Sequence, residues 1–321
     1  MTHRLNLVLM LALVAAMLLS LVAGKVWVPF AAWHGDDPRW LIIMELRAPR
    51  TVLAALVGAA LGLSGAAMQG YLRNPLADPG LFGVSSGAAL GAVISLFFGY
   101  TAQVWLLPAF ALTGAAVSMA LLALLVGRSG SLIVFTLGGV ILSSIAGSMT
   151  ALAISLAPTP FATSQIVTWL MGALTDRSWD DVLLALPLIM VGGALLAMTA
   201  RALDALTLGE AAARSMGVDP LRLQILIVVG VGICVGASVA AAGIIGFVGL
   251  MVPHLVRPFA GYRPSAVLLP SALGGALLLV VADSLVRAAP TVSELRLGIA
   301  MSMLGGPFFL ALLLRMRRQL P

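Results

Sequence analysis

The chain has 321 residues, 61% of them hydrophobic and only 9% charged, with a mean hydropathy of +1.11 and a formal net charge of +6. A soluble domain carries about a quarter charged residues, so this chain cannot cover a water-facing surface and its solvent is a bilayer. A single cysteine, Cys234, excludes an intramolecular disulfide, and three scattered histidines (His3, His34, His254) argue against a metal or haem site within the chain.

The first element is the uncharged run LNLVLMLALVAAMLLSLVA, residues 5–23. About 20 such residues cross the hydrocarbon core as a helix, whereas barrel strands alternate polar and apolar residues over about ten positions. The fold class is therefore all-α and polytopic. A signal peptide is the competing reading of this end, but the run is long for its apolar region and LVAGK is a poor cleavage site, so a retained first helix is expected. Further apolar runs predict spans near 48–70, 82–99, 104–126, 132–156, 181–200, 221–242, 245–258, 265–288 and 296–315, about ten transmembrane helices in all. The span at 245–258 is short. The segment FATSQIVTWLMG, Phe161 to Gly172, is too short to cross and reads as a re-entrant or interfacial helix.

Between the second and third spans lies RNPLADPGLFGVSSG, Arg73 to Gly87, too rich in Pro and Gly to be a helix. A comparable break, GIIGFVGLMVPH, follows the seventh. In both places a Gly/Ala-rich helix, a broken stretch and a new helix follow one another, in opposite directions across the membrane. That is the pattern of an inverted repeat, common in transporters. Within one permease-like domain, 1–321, the first half is about 48–156 and the second about 221–315. Non-helical backbone at membrane depth survives only where protein or water satisfies it, so the Arg73–Gly87 break reads either as part of a pathway or as an ordinary turn. The G-x-x-x-G pairs Gly58/Gly62, Gly87/Gly91 and Gly232/Gly236 read as helix packing.

With the N-terminus in the cytoplasm, eleven of the 18 basic residues face inward and seven outward, so both termini are expected to be cytoplasmic. The basic residues are spread over many loops, which argues against nucleic-acid binding. The longest cytoplasmic loop, about 201–222, holds a short predicted helix in GEAAARSMG. Gly209 precedes it, Glu210 complements its dipole and Gly217 is placed to stop it. It reads as a helix that docks in a partner's groove or as a solvated connector. The lone lysine, Lys25, is in no P-loop, so this chain cannot be a P-loop ATPase. GLSG with Ser64, together with His254, leaves an intramembrane serine protease as a remote alternative. Asp283, one turn from Arg287, is the one clear intramembrane acid and a slender basis for an ion-coupled secondary transporter.

The blocks RAPRTVLAALVGAALGLSGAAMQGYLRNPLADPGLFGVSSGA, TLGEAAARSMGV, GIIGFVGLMVPHLVR and LGGPFFLALLLR occur in the order found in the FecCD-type permeases, which the chain resembles over essentially its whole length. These are the membrane subunits of bacterial ABC importers for iron–siderophore, haem and cobalamin. The resemblance implies the type II importer permease fold, in a bacterial inner membrane. It implies a homodimer with a pathway on its axis and two separate ATP-binding subunits that carry the ATP and Mg. It also implies a periplasmic or lipid-anchored substrate-binding protein outside, and no cofactor in this chain. Leu208, Gly209, Glu210, Ala213, Met216 and Gly217 match the family's coupling helix. Arg47, Arg50 and Arg287 match outer arginines that meet carboxylates on the binding protein, and Asn74 and Leu76 match a cytoplasmic gate. A second gate of paired hydroxyls is not carried over, because only Ser129 and Ser131 are near its place. The implied cargo is a bulky metal chelate, ferric siderophore first and haem or cobalamin as alternatives.

Overall fold

The computed structural model describes residues 2–33, 37–100, 105–127, 132–290 and 294–317. His34, Arg128, Ser129, Ser131 and Arg318 lie outside these. Among the described residues the structure is helical, without strands. In chain order it comprises α1 (Thr2–Val22), a π-type segment (Ile42–Arg47) running into α2 (Ala48–Tyr71), a 3-10 turn (Pro79–Phe82), α3 (Val84–Phe97) and α4 (Leu106–Val126). There follow α5 (Leu132–Ser155), α6 (Pro160–Leu170), α7 (Trp179–Met198), α8 (Ala200–Leu206), α9 (Glu210–Ser215) and α10 (Pro220–Ala242). The chain closes with α11 (Val248–Val256), a 3-10 turn (Arg257–Ala260), α12 (Pro264–Ala288) and α13 (Leu297–Arg317).

Among the described residues eight helices are long and apolar enough to cross a bilayer. All ten predicted spans have a helix, but two fall short. α3 has 14 residues and α11 has 9, about 21 and 14 Å at 1.5 Å per residue, against a hydrocarbon core of about 30 Å. The cause is local. Each helix is preceded by a residue in the left-handed region, Gly83 (φ 81°) and Phe247 (φ 68°), which interrupts helical propagation from the span before. For Phe247 this conformation is strained, and its ring fills the space that a side chain at Gly305 of α13 would need. The second span also differs from expectation. It begins at Ile42, so Arg47, expected just before the span, lies with Arg50 in one 30-residue helical stretch.

The inverted repeat appears as exchanged packing. α2 and α10 form the centre, with 72% of each apolar stretch buried, against 11% for α1 and 17% for α5. α2 closes on α12 through Gly58 and Gly62, where an added Cβ would lie 2.2 Å from the Gly275 carbonyl oxygen and 2.1 Å from that of Ser271. α10 closes on α4 through Gly232 and Gly236, where a Cβ would meet Met119 Cγ at 2.8 Å and Ala115 Cβ at 2.9 Å. Likewise α2 packs on α11 and α10 on α3. The leading helix of each half is thus seated on the second and third helices of the other. All three G-x-x-x-G pairs are packing surfaces, Gly87 and Gly91 meeting α4.

Candidate functional site

At one end of the bundle the chain between α8 and α10 makes a protruding segment. Gly209 (φ 98°) turns into α9 and Gly217 (φ 84°) turns out of it. Nothing crowds either glycine, so the backbone conformation itself calls for glycine. Asp219 then caps α10 by accepting from the N–H groups of Leu221 and Arg222, with Pro220 in the first turn. Ala213 is buried and seats α9 against the bundle. Leu208 and Met216 are 67% and 64% exposed, large apolar side chains offered to water beside exposed Glu210. Of the six residues expected to engage a partner, Ala213 therefore supports the segment from within and does not form its outer face.

Next to this segment lies the broken stretch after α2. Arg73 adopts φ 49°, and its guanidinium is 3.6 Å from Glu210. Both groups are exposed, so the pair contributes little to stability. Asn74 Oδ1 accepts the Leu76 N–H (2.9 Å), and Asp78 Oδ1 accepts the Gly80 N–H (2.7 Å). These local turns satisfy backbone that a helix would otherwise satisfy. Burial pushes the Asp78 carboxyl above its ordinary pKa, outweighing the Gly80 hydrogen bond. Exposed Asn74 and half-buried Leu76 face α5 across a cleft of about 420 Å³ lined also by Phe82, Thr136, Leu137 and Val140. The structure thus brings both expected gate residues to one cleft. Gln69, near the end of α2, donates to the carbonyls of Gly249 and Leu250 (both 3.3 Å) and accepts from Arg257 (2.6 Å), tying α2 to α11. No sequence motif singled out Gln69 or Arg257.

At the opposite end the three expected docking arginines turn inward. Arg47, Arg50 and Arg287 are 6%, 7% and 5% exposed. Arg50 donates from Nε and Nη2 to Asp283 (3.0 and 2.8 Å) and from Nη1 to Glu294 (3.0 Å). Arg287 Nε lies 3.1 Å from the second Asp283 oxygen, and its other nitrogens donate to Ser20 Oγ and the Ala23 carbonyl. Arg47 donates to the carbonyls of Leu21, Val22 and Val26 at and beyond the end of α1. A buried charge without partners is expensive, so these arginines have gathered acids and helix-end carbonyls around themselves. The cluster ties α1, α2, α12 and the segment before α13 together. The three side chains expected to meet a docking protein are thus engaged by partners within this chain. Burial alone would raise the Glu294 pKa, but Arg50, the Thr175 hydroxyl and Arg287 hold it below the usual carboxylate range. The Asp283–Arg287 pair was visible from its four-residue spacing, whereas Glu294 arrives from 244 residues beyond Arg50 with no local signal.

The protease constellation does not assemble. Ser64 is fully buried beside the Cys234 thiol, His254 stacks edge-on to Phe308 at 6.1 Å, and no hydrogen bond joins the two among the described residues. Asp283 is paired with two arginines, which leaves no free intramembrane acid there for a proton relay.

Comparison with known proteins agrees with this architecture. Residues 11–315 match the model of the FecCD transport family. A permease of Bacillus subtilis described as an uncharacterized ABC transporter permease, YvrB, is 40% identical over 95% of this chain and 92% of its own. The vitamin B12 import permease BtuC of Klebsiella pneumoniae is 38% identical over 96% and 93%. The hemin transport permease HmuU of Yersinia pestis is 37% identical over 88% and 86%. A solved structure described as an inward-facing metal-chelate type ABC transporter superposes with a TM-score of 0.89 at 30% identity, covering 97% of this chain and 99% of that one.

Proposed function

This chain belongs to the FecCD transport family, and from that premise we propose that it is the dimeric membrane subunit of an ATP-driven importer for a bulky metal chelate, with ferric siderophore as the first cargo to test. It is a multi-pass membrane protein of the ABC importer permease class. The observation that carries the mechanism is the α9 segment. A short helix, fixed from beneath by Ala213, presents Leu208, Glu210 and Met216 outward between two glycine turns. Such a knob fits a groove in a separate ATP-binding subunit. ATP and Mg belong to that subunit, because this chain has no P-loop.

In this reading the α9 end and both termini face the cytoplasm of a bacterial inner membrane, as the basic-residue bias favours. Closure of the two ATPase subunits moves α9. Arg73 and the Asn74–Leu76 turn lie beside it, so the motion reaches the cleft against α5 and opens or closes a cytoplasmic gate. Arg47, Arg50 and Arg287 serve the binding protein indirectly, by fixing the helix ends on which it sits. A second copy completes the pathway.

Haem and cobalamin are competing cargoes, since hemin and vitamin B12 are named for two relatives. Proteoliposomes holding this permease with its neighbouring ATPase and binding protein would be offered labelled ferric siderophore, haem and cobalamin, each with and without ATP. ATP-dependent entry of one ligand assigns the cargo. Entry driven by a proton gradient without ATP refutes the importer reading.

A further inference from the structure

The inner wall of the α9 end holds a second concavity, of about 290 Å³, distinct from the cleft beside Asn74. Gln69, Arg73, Thr207, Arg257, Tyr262 and Pro264 line it. It lies between the end of α2, the turn after α8 and the start of α12. Two guanidinium groups approach it. The Arg73 side chain is 43% exposed and, among the described residues, pairs with exposed Glu210 at 3.6 Å. Arg257 is half-buried, donates to the neutral Gln69 side chain, and has no carboxylate partner among the described residues. The other nearby acid, Asp204, is taken up by Arg263 (3.0 Å) and Ser265 (2.6 Å).

A half-buried arginine normally has its charge met. Here it opens on a recess whose apolar walls, among them Ala66, Pro75 and Val267, also carry a second arginine and a tyrosine, and the N-terminal end of α12 adds its positive dipole. The recess is small by the standard of drug-sized pockets, so it suits a compact headgroup. Arginine forks match tetrahedral phosphoryl oxygens in a way that lysine cannot. The recess is also where α2 ends and α12 begins, the level at which basic pockets between helices hold lipid headgroups. The geometry points to a phosphoryl-anion site, filled by the headgroup of an anionic phospholipid or by free phosphate, with Arg257 and Arg73 as its ligands. Occupancy would draw Arg73 away from Glu210 and so reach the α9 segment.

The test uses the full-length protein in phosphatidylcholine nanodiscs and in detergent. Phosphatidylglycerol, phosphatidylcholine and inorganic phosphate are titrated separately, and thermal stability and lipid retention by native mass spectrometry are read. Phosphatidylglycerol or phosphate should raise the melting temperature where phosphatidylcholine does not, and whichever acts identifies the source. Arg257→Gln should weaken the apparent affinity about tenfold or more. Because that change also disturbs Gln69, Thr207→Glu provides a second variant. Thr207 is exposed, and a carboxylate there repels the anion without touching the Gln69–Arg257 bond. Equal responses to phosphatidylglycerol and phosphatidylcholine with no response to phosphate would overturn the site, as would wild-type responses in both variants.

Discussion

Replacing Asp283 by Asn keeps the size of the side chain and removes its charge. The carboxylate is 1% exposed and serves two guanidinium groups, receiving from Arg50 at 3.0 and 2.8 Å and lying 3.1 Å from Arg287. Removing one partner of a buried pair costs about 3–5 kcal/mol, since the other charge is left uncompensated. Arg50 keeps Glu294 at 3.0 Å, whereas Arg287 keeps only neutral acceptors, so the lower figure of about 3 kcal/mol applies. For a chain of this size that lowers Tm by about 6 °C, at roughly 2 °C per kcal/mol. Glu294→Gln touches a side chain 27% exposed and should cost about 1 kcal/mol. Thermal melts in detergent, followed by tryptophan fluorescence, read both. The quadruple change Asp283→Leu, Arg50→Met, Arg287→Met, Glu294→Gln should recover most of the loss, because apolar or neutral replacement of a whole buried ionic group is close to neutral. If Asp283→Asn melts within a degree of wild type, or if Glu294→Gln is the more damaging, the cluster is not the brace described.

Met216→Glu with Leu208→Glu changes exposed side chains, so Tm should move by no more than about 0.5 kcal/mol equivalent, while co-purification of the ATPase is lost; retained ATPase with normal transport would make the segment a mere connector. Gly65→Ala places a methyl 1.9 Å from the Gly249 carbonyl oxygen and should destabilise by about 1–3 kcal/mol or more, whereas Gly193→Ala in α7, whose nearest neighbour is a Leu63 methyl at 3.5 Å, should be neutral or stabilising; equal melts would count against the close α2–α11 packing. Glu294 has a lowered folded pKa, so its contribution is present above the unfolded value of about 4.3 and is lost as pH falls through the folded one. The Tm gap between wild type and Glu294→Gln should therefore shrink below about pH 4, and a gap that widens on acidification would reverse the assigned sign.

The long helices were legible because continuous apolar runs have one stable answer in lipid. The short ones were legible as interruptions, through Gly and Pro, but not in length. One left-handed residue decides where α11 starts, and Phe247 carries no sign of that conformation in its identity. The α9 segment was readable from its two glycines and Glu210, although only packing shows that Ala213 faces inward. The surroundings of the arginines were the least legible part. Charge near a helix end looks alike in sequence whether it meets water or a carboxylate from a distant helix, and Glu294 and the carbonyls ending α1 are contacts that no spacing encodes. Gln69 and Arg257, 188 residues apart, were invisible for the same reason.

The two ends of the bundle are braced very differently. At one, buried guanidinium groups lash four segments together. At the other, the ion pairs Arg73–Glu210 and Arg263–Asp204 are exposed and yield cheaply. A beam clamped at one end and loosely guyed at the other pivots at the clamp. Small tilts of α2 and α12 about that clamp would grow toward the loosely held end, while the clamped end kept its shape. Backbone amides around residues 42–50 and 280–287 should exchange with deuterium more slowly than those around 70–78 and 205–218, a stiffness gradient that runs along the helices and not from core to surface.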